Sequence, residues 1–106
     1  MEENEQLAGL INKDLGDMTT GLVISTGLTD RSLIRDQLAF VIAGLLQDNF
    51  ERLCQAMYRL DVSEARFHQV LTEAPVDDIP FAIADLVIER EMQKVRTRMM
   101  YKRKEL

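Results

Sequence analysis

The sequence predicts an all-α domain: a small four- or five-helix bundle with an extended N-terminal arm and a long basic C-terminal helix. Apolar residues recur at helical spacing through most of the chain. Two cap-plus-staple patterns, at Thr29 and Ser63, mark helix starts, and neither glycine nor proline interrupts the chain after Pro80. At 106 residues this is one domain's worth of chain, divided into a short helix and arm (1–29) and a helical bundle (30–106).

Leu7, Leu10, Ile11 and Leu15 place a short amphipathic helix over residues 5–15, with acids ahead of it that suit its dipole. Residues 16–30 hold three glycines and five serines or threonines around Leu22-Val23-Ile24, the composition of an arm with one extended segment. The second helix is expected to start at Thr29 as N-cap, with Leu28 and Leu33 as the staple. Ile34, Leu38, Val41 and Leu45 form its stripe. Phe40, Ile42 and Leu46 widen that stripe beyond the arc a surface helix buries, so this helix is either central to the bundle or an association surface.

A break is expected at Gln47-Asp48-Asn49, where Asp48 and Glu51 have the spacing of a capping box. A third helix over about 49–60 then buries Phe50, Leu53, Cys54, Met57 and Leu60. Asp61-Val62-Ser63 is a tight turn, with Ser63 as N-cap and Val62 stapled to Phe67. The fourth helix, 64–73, buries Phe67, Val70 and Leu71 and stops at Pro75. Asp77, Asp78 and Pro80 then suit the start of a fifth helix, which runs to about Lys104 with Ala84, Ile88, Val95 and Met99 on one stripe and Ile83, Val87 and Met92 beside it. A helix of that length outruns the width of a small domain, so its end is expected to project or to lie along a neighbour.

The net charge of −5 conceals a polar distribution along the chain. Residues 1–89 carry 16 acids and 6 bases, a net −10, whereas residues 90–106 carry 7 bases and 2 acids, a net +5. The basic set is Arg90, Lys94, Arg96, Arg98, Lys102, Arg103 and Lys104. Clustered cations of this kind gain affinity for phosphates by counterion release, and they also suit the C-terminal end of a helix dipole.

Chemistry-bearing patterns are sparse. Cys54 is the single cysteine, which leaves no disulfide framework and no cysteine cluster for zinc. Glu64 and His68 stand one helical turn apart, but His68 is the only histidine and no second pair completes a metal set. Phosphate-cradling glycine loops and nucleophile elbows are missing, so neither catalysis nor a cofactor is expected. The acidic N-terminus does not read as a signal peptide. The longest apolar run, Leu38–Leu46, is far short of the roughly 20 residues that span a bilayer, so a cytoplasmic protein without membrane insertion is expected.

Residues Met57–Leu71 resemble the helix-turn-helix motif of transcription regulators: Leu60, Val62 and Ser63 match its turn, and Phe67 and Val70 match the inward positions of its second helix. Asp61 stands where that family has glycine. The resemblance implies that Glu64, Arg66, His68 and Gln69 face outward on a recognition helix. Tyr-Arg-Leu-Asp-Val-Ser-Glu at 58–64, followed by Ile83–Arg90, is also similar to a group of small uncharacterised bacterial helical proteins, a similarity that implies no activity.

The function expected from these features is a non-catalytic interaction module. It associates with itself, as a homodimer or other homo-oligomer, or with a partner, through the arm at residues 16–30 and an apolar interface of Leu38, Val41, Ile42, Leu45 and Leu46. Arg90, Lys94, Arg96, Arg98, Lys102, Arg103 and Lys104 are the expected contact to an acidic protein partner or to the acidic body of a second copy. The alternative is a nucleic-acid-binding protein that uses the basic C-terminal helix and the helix-turn-helix-like segment.

Overall fold

A computed structural model describes residues 3–15 and 30–104, the last two without their side chains. Among the described residues every regular element is helical: α1 (Glu3–Leu15), α2 (Arg31–Asp48), α3 (Phe50–Leu60), α4 (Glu64–Glu73), a 3₁₀ turn (Val76–Asp78) and α5 (Ile79–Lys104). The arm expected over residues 16–30, with Leu28 and Thr29, lies outside the described residues except for Asp30.

Asp30 is the N-cap of α2: its backbone is extended, and its carboxylate accepts hydrogen bonds from the Ser32 amide at 2.8 Å and the Ser32 hydroxyl at 2.9 Å. The cap expected at Thr29 therefore falls one residue later, on a side chain equally able to satisfy a free amide. The two Ser32 hydrogen bonds hold the Asp30 carboxyl below its ordinary range. The break before α3 falls where expected. Its cap, however, is Asn49, whose side chain accepts from the Arg52 amide at 3.2 Å, so Asp48 ends the preceding helix instead.

The corner between α3 and α4 is built as its sequence indicates. Ser63 Oγ accepts from the Arg66 amide at 3.3 Å, and both staple residues, Val62 and Phe67, are buried. Asp61 closes α3 in the left-handed conformation, with φ 62°. The Val62 amide reaches back to the Met57 carbonyl at 3.0 Å and the Asp61 amide to Tyr58 at 3.1 Å. These bonds make a Schellman closure, which explains why the glycine-type position tolerates an aspartate: Asp is one of the few residues other than glycine that visit this conformation readily.

Helices α2 and α5 share the most extensive contact; α1, α4 and the 3₁₀ turn pack mainly on α5, and α3 mainly on α2. Ile34, Leu38, Ala39 and Ile42 of α2 meet Ile83, Ala84, Leu86, Val87, Ile88 and Met92 of α5 in a single core. Leu53, Ala56, Met57 and Leu60 of α3 join it, as do Leu7, Ala8, Ile11 and Leu15 of α1. At about 1.5–3 kcal/mol for each large aliphatic side chain taken out of water, these contacts dominate the favourable energy of folding. Cys54, Val70 and Leu71 are half-buried against the core, and Phe50 stays at its edge, stacked on Phe67 with ring centroids 6.4 Å apart.

Candidate interaction surfaces

The apolar interface expected on α2 is largely internal. Leu38, Val41 and Ile42 are buried within the chain itself, and Leu45 and Leu46 are half-buried against the core. In so small a bundle the longest apolar stripe is needed to cover α5, so these side chains are structural in this fold. What α2 turns outward is a different row: Leu33, 46% exposed, and Phe40, 70% exposed, lie two turns apart on one side. Ala43 and Gly44 continue the row, both exposed, and nothing lies within 4 Å of where a Gly44 Cβ would stand.

Three of the five basic side chains described on α5 are answered from within the chain. Arg90 Nη2 lies 3.3 Å from Asp61 Oδ2, Lys94 Nζ 3.4 Å from both Asp14 Oδ2 and Glu91 Oε2, and Arg96 Nε 3.4 Å from Glu3 Oε1. The acidic body that a basic tail would seek is thus, for these three cations, its own. Arg98 and Lys102 are exposed one turn apart, close to the exposed Met100 and Tyr101. The side chains of Arg103 and Lys104 are outside the described set.

A cleft of about 310 Å³ opens between the Asp61–Ser63 corner and α5, lined among others by Arg66, Glu89, Arg90 and Gln93. Arg66 donates to both carboxylate oxygens of Glu89, at 2.9 and 3.0 Å. That pairing raises the Arg66 guanidinium further above its ordinary value and lowers the Glu89 carboxyl. Glu64, Arg66, His68 and Gln69 are all exposed on α4, but the one firm cation among them is committed to α5. On the α2 side of the bundle, Arg35 makes the same bidentate pair with Asp85, at 2.8 and 3.1 Å, and lies over the Phe81 ring, 5.0 Å from its centroid.

One group shows little of its role in the sequence. Glu91, among the apolar residues of α5, is fully buried, and neither of its carboxyl oxygens receives a hydrogen bond. Burial first, and then the neighbouring Asp14 carboxylate, push its pKa up to about 7 against the opposing pull of Lys94. The hint available was position: Glu91 lies one turn from both Val87 and Val95, on the inward side of the helix.

Among the described residues, no group of three or more His, Cys, Asp and Glu side chains is placed to hold a metal ion, and no helix is long and apolar enough to cross a membrane. His68 is exposed and Cys54 half-buried. No family model, curated protein or solved structure matches the chain.

Proposed function

We propose that this chain is a non-catalytic association module of cytoplasmic type, pairing with a second copy of itself through the outer side of α2. The observation that carries the reading is the row Leu33, Phe40, Ala43 and Gly44, which leaves a large aromatic ring in water beside residues small enough to admit another helix closely. A two-fold pairing along this row would bury two copies each of Phe40 and Leu33, at up to about 1.5–3 kcal/mol for each side chain scaled by the surface it still exposes. Sedimentation or light scattering across the micromolar range tests it. Phe40→Asp is expected to yield a folded monomer from an assembled wild type, whereas Ile42→Asp, which places a charge in the core, abolishes the fold itself. A wild type that stays strictly monomeric at high micromolar concentration ends the self-association reading.

A second reading, contact with a nucleic acid or an acidic protein through the last turns of α5, is supported by Arg98 and Lys102 standing exposed with Tyr101 between them. It uses a different surface and is tested by titration with nucleic acid. Duplex or single-stranded binding that weakens steeply with salt and is lost in Arg98→Ala/Lys102→Ala favours it, and a flat titration at low salt removes nucleic acid.

A further inference from the structure

We propose that Asp14, Glu91 and Lys94 form a proton-operated latch that holds the first helix on the last, closed when the two carboxyls share a proton and loosened when that proton leaves. The inference is independent of how the outer side of α2 is used.

The geometry is a seam between two elements distant in sequence. Asp14 comes from the last turn of α1, and Glu91 and Lys94 from one face of α5 at i, i+3 spacing. Lys94 Nζ stands 3.4 Å from one oxygen of each carboxyl, and its hydrogen bond goes to Asp14. With all three groups ionised the seam holds two negative charges and one positive, and the uncompensated carboxylate is the one with no access to water. A single proton cures both defects: it neutralises the excess charge, and it turns an orphan acceptor of Glu91 into a donor, with the neighbouring Asp14 carboxylate as acceptor.

Among the described residues, the other charges near the seam are engaged elsewhere. Arg31 of α2 donates to Asn4 Oδ1 at 3.0 and 3.1 Å and touches Met92 Sδ at 3.5 Å, while Glu3 of α1 faces Arg96 and Arg31. Arg66 of α4 is held by Glu89, and no charged group of α3 or α4 is among those that act on Glu91. Burial, Asp14 and Lys94 therefore set its behaviour, in that order. Because the Glu91 carboxyl in the folded chain lies near 7, above its ordinary 4.5, the seam is tightest below the lower value, and its contribution is lost as pH rises through the higher. Separating α1 from α5 returns Glu91 to water while the α2–α5 and α3–α5 contacts persist, so the proton couples to α1 docking before it couples to global unfolding.

Amide hydrogen exchange of α1, corrected for intrinsic rates, reads the latch directly. From about pH 5.5 to about pH 8 the opening equilibrium of wild-type α1 is expected to rise roughly 30-fold, and in Glu91→Gln, a neutral isostere with a permanent donor, to stay flat. Wild-type α1 protection that does not vary with pH overturns the proposal, as does a Glu91→Gln variant that keeps the wild-type slope. A carboxyl-carbon NMR titration of the unmodified protein decides the matter without any variant: a Glu91 midpoint near neutrality supports the latch, and a midpoint in the ordinary carboxylate range refutes it.

Discussion

Helices α4 and α1 both pack on α5, and they are attached by opposite means. α4 is set by its immediate neighbours in sequence: Ser63 caps it, Val62 and Phe67 staple it, and its charge contact with α5, Arg66 to Glu89, stays at the rim where water solvates both partners. α1 reaches α5 from the far end of the chain. Leu7, Ala8 and Ile11 are wholly buried, both of its ends are tied to the same stretch of α5 through Glu3–Arg96 and Asp14–Lys94, and a carboxyl is enclosed in the seam. A rim charge needs only a partner of opposite sign, because water covers the imbalance. An enclosed charge must also balance its proton count: on the proposed latch the α1 contact weakens as pH rises toward neutrality, whereas the α4 contact, in which Arg66 lowers the Glu89 carboxyl, weakens only in acid.

Truncation separates the two attachments by size. Ile11→Ala removes a side chain with 1% of its surface exposed and should cost about 2–5 kcal/mol, seen as a lower urea midpoint and as early loss of α1 protection in hydrogen exchange. Ser63→Ala attacks the α4 attachment at its local anchor and should cost about 1 kcal/mol in the same denaturation experiment, with α1 exchange unchanged. The smallest effect is expected at the corner itself. Asp61→Gly relieves a left-handed aspartate but gives up the rim contact to Arg90, so the midpoint should rise by less than about 1 kcal/mol equivalent. A clear loss there would mean that the Asp61–Arg90 contact outweighs backbone strain.

Most of the fold could be read along the chain because its signals are local. The Ser63 cap, the Val62–Phe67 staple, the break before Phe50 and the uninterrupted run after Pro80 each depend on residues within a turn or two of one another. The misplaced caps at Thr29 and Asp48 are one-residue shifts between neighbouring residues of the same capping chemistry, Asp30 and Asn49. The surfaces were harder to read. The second helix is apolar around so much of its circumference that periodicity could not say which arc α5 would cover, and Phe40 went out while Ile42 went in. The basic run after Arg90 looked like an unsatisfied patch because the acids that answer it, Glu3, Asp14 and Asp61, lie far away along the chain.

Taken alone, the sequence determined the order and approximate limits of the described helices, since capping, stapling and chain-breaking are interactions between near neighbours. It also determined that the charge is segregated toward one end. Only the tertiary structure decided which of those charges face water, which face each other and which lies buried, because these are properties of distance in space. Glu91 shows the difference most sharply: its place one turn from Val87 and Val95 hints only at an inward side, and packing of α1 on α5 is what removes it from water and leaves its charge to be settled by a proton, whereas Glu89, 50% exposed, is paired at the rim.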